Sequence, residues 1–362
     1  MNLPRVRILH ETNPRKYFPA LFALEDAGAI MLAGEHRYSV LKEWVRAGIK
    51  DRTPWLERTR HALGDLRFRA LKHFVRDEVI VMGFAPWDWR ILLYRALAEH
   101  NRVLYHTSWH DWHIDRTPRQ LRPYVVKRWL RDKWLEFVRL DNVEVIAVTP
   151  MAADAVRAAT GRTARVIPHA VPASFFKVGH DRTPRAAGPL RLLFVGEVSE
   201  KKGVGALLKL MKKLPAGTAT LTVVGDGKMT EAVRSAGWPV TFRGPIKDRK
   251  CLADEMGRHD VLVLLSQRSA TWEELFGIVV VEALAAGLAV IASDHVGPRG
   301  LLQPVGGPGL FREDDLEGVT ALVQQLANDP DALPRLRTQQ RTVAAPFAVD
   351  TVMRAWQEAI QR

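Results

Sequence analysis

A single cysteine, Cys251, stands in the 362-residue chain. It cannot close an internal disulfide, and no cysteine cluster exists to hold zinc, so a disulfide scaffold and a cysteine-built zinc site are both excluded. Long apolar runs are also missing. No stretch approaches the roughly 18 uninterrupted apolar residues of a membrane span, and the opening MNLPRVRILH has no signal-peptide core. These absences lead us to expect a soluble, cytoplasmic protein. There is no low-complexity tract and no short-period repeat. Neither a Gly-x-Ser-x-Gly elbow, a Walker loop nor a dinucleotide fingerprint occurs, which removes the usual signatures of serine hydrolases, P-loop enzymes and dinucleotide-dependent dehydrogenases.

What is present is positive charge, unevenly spread. The net charge is +13, and residues 1–177 hold 30 Lys+Arg against 19 Asp+Glu. Eight of the eleven tryptophans lie in the same half. The densest stretch, Arg116–Arg139, interleaves Arg122, Lys127, Arg128 and Arg131 with Tyr124, Trp129, Trp134 and Phe137. Such a helix can lie on an anionic membrane or glycan, bind nucleic acid, or simply set its aromatic face on the core. All three readings stand open at this point.

Apolar strand-like runs alternate with helical patterns throughout. Val6–His10, Glu78–Phe84, Arg102–His106, Val143–Val148 and Ala164–Ile167 read as buried strands in the first half. Helices are expected near Tyr17 and over Asp88–Glu99, Pro118–Arg139 and Met151–Ala159. The polar stretch Val178–Gly188 reads as a linker. Beyond it, strands are expected at Arg191–Val195, Thr218–Val224, Val240–Phe242, Asp260–Leu265 and Leu288–Ala292, and the tail is helical from Asp315. This alternation predicts an α/β fold: two doubly wound, Rossmann-like parallel-sheet domains facing a central ligand cleft. The expected division is 1–177, linker 178–188, 189–345, and a final helix 346–362 crossing back to the first domain.

The chemistry concentrates in Thr271–Glu282, TWEELFGIVVVE. Glu274 and Glu282 flank Phe276-Gly277 and an apolar run, read as a loop followed by a buried helix beginning near Gly277. A carboxylate inside a buried helix needs a partner, because desolvating it costs several kcal/mol. Either a ligand hydroxyl or a structural cation satisfies that need. Upstream, Gly196–Gly203 (GEVSEKKG) places glycines and Lys201–Lys202 between a strand and a helix, the outline of a phosphate loop. His106, His110 and His113 follow a strand, without the acidic pair or cysteine that would complete a metal site.

These motifs together resemble the retaining GT-B glycosyltransferases of family 4 (glycosyl transferases group 1). The resemblance rests on Glu274, Phe276-Gly277 and Glu282 running on into EALAAG, on FVGEVSEKKGV and VVGDG, and on IASDHVGPRGLL in the family's order. It covers most of residues 145–345. Two departures stand out: Glu197 occupies a position where many members carry arginine, and ETNPRKYFP replaces a glycine-rich first loop.

The resemblance implies that Glu282 holds the ribose of a UDP- or GDP-sugar and Glu274 the transferred sugar. Gly196, Lys201, Lys202 and the amides of Phe276, Gly277 and Ile278 would bind the diphosphate, with His110, or next His106, near the reacting sugar. No cofactor or metal is implied. The expected activity is transfer of a hexose to a glycan or lipid-linked acceptor in cell-envelope polysaccharide or lipopolysaccharide synthesis, with peripheral contact at the inner membrane face. Transfer to DNA bases, or a non-catalytic nucleotide- or glycan-binding role, are the alternatives.

Overall fold

The apolar runs pair into two parallel sheets, whose central strands are buried on both faces. The structure, a computed structural model, describes residues 3–11, 14–49, 53–115, 124–181, 188–269 and 272–362. The chain divides into two units, residues 1–170 with 349–362, and residues 171–348.

In the first unit the strands are β1 (Arg5–His10), β2 (Met31–Arg37), β3 (Val79–Gly83), β4 (Arg102–Thr107), β5 (Val143–Ala147) and β6 (Ala164–Val166). Their order is β2-β1-β3-β4-β5-β6. One face carries an aromatic core of Phe68, Tyr94, Tyr105, Trp134 and Phe137. The other packs helix Pro19–Asp26 against the final helix, Val349–Gln361. That last helix buries Val352, Trp356, Ala359 and Ile360, a spacing that makes one apolar stripe. Trp356 meets Phe18 edge-on at 5.9 Å.

The second unit contains β7 (Leu190–Glu197), β8 (Ala219–Asp226), β9 (Val240–Gly244), β10 (Val261–Leu264), β11 (Ala289–Ser293) and β12 (Leu310–Phe311), ordered β12-β11-β10-β7-β8-β9. At the amino end of β10 the fully buried Asp260 is clamped by Arg191 at 2.9 Å and Arg337 at 3.2 Å. Burial pushes its carboxyl pKa up, but the Arg191 hydrogen bonds outweigh this and hold it below the usual range. This buried carboxylate is structural.

Several expectations are corrected. The transition between units falls at 170/171, not at 178–188. Residues 173–180 form a helix whose Phe175 is fully buried in the second core, and the apolar pair Phe175-Phe176 explains why this segment is not a linker. Of the expected linker, residues 182–187 lie outside the described residues. The second crossing comes at 348/349, where Val171 bridges Ala348. The helix expected over Asp88–Glu99 is a short turn, Ile91–Tyr94, followed by a 3-10 segment, Arg95–Glu99. In the Arg116–Arg139 stretch, residues 116–123 lie outside the described residues. Helix Tyr124–Val138 turns Trp134 and Phe137 into the core, so half of its aromatic face is packing. Strand β2 and the helices Val40–Ile49 and Trp55–Leu71 had no sequence expectation.

Candidate functional site

In the second sheet, β7 pairs with β8 on one side and β10 on the other. The winding reverses between β7 and β10, and ligands of such sheets bind at the carboxyl ends of those strands. The loop after β7 is Val198–Gly203. A 3-10 turn, Glu200–Lys202, ends at Gly203 with φ +80°, and helix Val204–Lys213 starts there. A Cβ on Gly203 would lie 1.8 Å from the carbonyl oxygen of Leu265, so only glycine lets the loop touch the end of β10. The Gln267 amide donates to the Lys201 carbonyl at 2.8 Å, tying the two loops together.

These contacts bring two of the sequence candidates, Lys202 and Glu274, together. Lys202 forms an ion pair with Glu274, across 72 residues of chain, and its ammonium stands 4.9 Å from the Trp272 ring centroid. Gly277, with φ +69°, caps helix Ile278–Ala285, on which Glu282 is 3% exposed. Thr271, the expected start of this segment, lies outside the described residues. Gly196 closes the strand portion of the phosphate loop, its register partner being Gly225 on β8.

Three findings were not foreseen. Glu282 pairs with Arg249, whose guanidinium also lies 4.9 Å from the Phe175 ring. Lys201, expected at the diphosphate, pairs with Glu197 at 2.8 Å, the acidic residue where many family members carry arginine. His295 supports Glu274 from behind: its Nδ1 accepts from the Glu274 amide at 3.2 Å, and its Nε2–H donates to the Ser266 carbonyl at 2.9 Å. That pattern requires the neutral ring, and burial lowers the His295 pKa accordingly. The Gly297 amide donates to the Glu274 carbonyl at 2.8 Å. In the sequence these residues appeared only within IASDHVGPRGLL, without a role.

The first unit has its own reversal, between β1's two neighbours β2 and β3. A cavity of about 230 Å³ opens at the carboxyl ends there, lined by His10, Tyr17, Phe84, His106, Ser108 and His169 among others. The His106 and His169 rings are 5.6 Å apart. His106 thus lines the cavity while His110, the first candidate from sequence, does not: it sits half-buried further along the loop. The turn residue His169 and the strand-end His10 were not singled out from sequence. Among the described residues no cluster of three or more His, Cys, Asp or Glu side chains could hold a metal ion.

Burial first, then the neighbouring His169 and His10, holds the His106 pKa well below the usual histidine range. The unfolded chain takes up that proton near pH 6.5, whereas the folded one does not. The stabilising effect is therefore complete above about pH 6.5 and is lost as pH falls below it. His259 and His295, both lowered mainly by burial, act in the same direction. The unfolding midpoint should fall as pH drops from about 7.5 to about 5.5, and His106→Gln should flatten that slope. Differential scanning fluorimetry across pH checks both.

Residues 189–329 match the family model described as glycosyl transferases group 1. The amylovoran biosynthesis glycosyltransferase AmsK of Erwinia amylovora is 26% identical over 191 residues, 48% of this chain and 45% of AmsK. The chain spans less than half the length of the curated relatives it matches. Among solved structures, sucrose-phosphate synthase from Thermosynechococcus elongatus superposes with TM-score 0.68 at 17% identity, covering 99% of this chain and 98% of that one. Anabaena HepE in complex with UDP gives 0.64 at 16% identity, covering 99% and 100%. The second unit, over residues 189–329, is therefore a glycosyl transferases group 1 domain, carried on a chain with the GT-B fold.

Proposed function

We propose that this protein is a retaining glycosyltransferase that moves a hexose from a UDP- or GDP-sugar to a glycan or lipid-linked acceptor. The observation that carries this reading is the Lys202–Glu274 pair joining the loops after β7 and β10 within the group 1 domain. A diphosphate arriving there competes with the Glu274 carboxylate for the Lys202 ammonium. Glu274, released, accepts from sugar hydroxyls, and Glu282 accepts from the ribose while Arg249 shifts outward. As the bond from the anomeric carbon to the diphosphate breaks, its electron pair goes to the leaving oxygen, which Lys202 and the amides of Phe276, Gly277 and Ile278 stabilise. The acceptor hydroxyl forms the new bond on the same face, and its proton passes to the leaving diphosphate. The first unit's histidine-lined cavity takes the acceptor, with neutral His106 hydrogen-bonding to a hydroxyl. These residues meet the diphosphate charge with protein cations and dipoles, so the reading requires no metal. HepE, which shares the fold, was solved in complex with UDP, and this supports a nucleoside diphosphate as ligand.

The test is thermal shift followed by transfer assays over a panel of nucleoside diphosphates and their sugars, with and without EDTA. One nucleotide should raise the unfolding midpoint by mass action, and its sugar should be transferred equally well with EDTA present. No stabilisation by any nucleotide would remove the donor site. Stabilisation without transfer to any acceptor would favour a binding subunit instead.

A further inference from the structure

The described residues expose twenty large hydrophobic side chains, and nine of these fall between residues 41 and 74. Eight of them belong to two helices, Val40–Ile49 and Trp55–Leu71, and the ninth, Phe74, to the 3-10 turn that follows. On helix Val40–Ile49, Leu41, Val45 and Ile49 follow one another at four-residue steps, so they form a single outward stripe. On helix Trp55–Leu71 only Asp65 and Phe68 are buried, while Trp55, Leu56 and Leu63 face solvent. Leu41, Ile49, Leu56 and Phe74 are each more than seven-tenths exposed. Apolar side chains exposed in this concentration mark an interaction surface rather than chance exposure.

The charge says what covers it. Residues 40–76 contain 10 Lys+Arg against 4 Asp+Glu, a net +6 of the chain's +13. Of the four acids, Asp65 points inward, with its carboxylate accepting from the Arg37 amide at 3.1 Å. Arg60, Arg67 and Arg76 are exposed around the patch. A second copy would oppose +6 to +6. A nucleic acid would satisfy the arginines but leave the aliphatic stripes wet. An anionic bilayer satisfies both, because aliphatic side chains enter the acyl boundary while arginines stay at the headgroups.

We propose that the helix pair 40–71 is a docking surface for an anionic lipid bilayer. This places membrane contact on the helix pair 40–71 rather than on the 124–138 helix, half of whose aromatics, Trp134 and Phe137, are committed to the core while Tyr124 and Trp129 stay exposed. Docking here does not depend on the proposed transferase activity, and it would bring the chain to the layer where lipid-linked acceptors reside.

The 362-residue chain is floated with phosphatidylcholine vesicles, and with vesicles containing phosphatidylglycerol as well. Binding should appear only with the anionic lipid and weaken with salt. The triple variant Leu41→Glu, Ile49→Glu, Leu56→Glu should lose at least about tenfold in the bound fraction, with its unfolding midpoint and nucleotide-induced shift unchanged. The double variant Arg60→Glu, Arg67→Glu should lose binding independently, which guards against a folding defect in the first. Equal flotation on neutral vesicles, or wild-type flotation of both variants, would overturn the proposal. So would light scattering showing a dimer that the triple variant dissolves, or a duplex-DNA gel shift that the triple variant abolishes while flotation is absent.

Discussion

Lys202→Ala should lower kcat/KM for transfer by roughly 10²–10³-fold, the usual cost of removing one group that stabilises developing charge on a leaving oxygen. The side chain is about one-fifth exposed and its partner Glu274 about one-seventh, so the pair is a partly solvated one. Such pairs contribute about 1 kcal/mol or less to stability. Glu274 also keeps its backbone anchors, the His295 ring and the Gly297 amide. The variant should therefore fold, with an unfolding midpoint close to wild type, while the stabilisation produced by nucleoside diphosphate shrinks. Lys202→Arg, which keeps the charge, should recover part of the activity. Steady-state kinetics with thermal shift separates these outcomes, and full activity in Lys202→Ala would remove the residue from the site.

The second large effect is expected from Gly203→Ala, a change of one methyl group. Two costs add. The positive φ carries a strain of roughly 1 kcal/mol for a residue with a Cβ. The methyl would also sit 1.8 Å from the Leu265 oxygen and 2.2 Å from its carbonyl carbon. Both are backbone atoms, so no rotamer change relieves the contact, and the phosphate loop must move away from β10. The expected loss is roughly 2–4 kcal/mol of stability, together with donor binding, because the displaced loop carries Lys202 with it. Gly217→Ala is the matched control in the same unit. Its φ is +81°, but nothing lies within 4 Å of the added methyl, so only the strain term remains. Denaturant unfolding and nucleotide titration of the two variants check the difference. Equal effects would mean that the contact with Leu265 is not what the glycine is for.

The second unit was largely legible in the sequence. Its central strands are buried on both faces and read as unbroken apolar runs, such as VLVL and AVIAS, and its key helix begins at one glycine and ends before another. The first unit was less so. Strand β2, MLAGEHR, lies at the sheet edge with no fully buried residue. Half-buried on an edge, it carries neither an apolar run nor clean alternation. The helix at residues 173–180 was hidden because polar and proline residues beside it imitate a linker. The helix pair 40–71 shows its apolar side to solvent, so its pattern does not announce a core-facing element.

The sequence by itself determined the strand alternation, the phosphate loop, and the Glu-Phe-Gly segment with Glu282 eight residues after Glu274. Only the tertiary structure decided what those groups meet. Lys202 finds Glu274 across 72 residues, and Glu282 finds Arg249 on a different helix. His10, His106 and His169 reach one cavity from three separate stretches of chain. The physical reason is common to all of them. In a parallel sheet every strand ends at the same edge, so loops far apart in sequence converge there, and a pairing made across that edge leaves no local pattern to read.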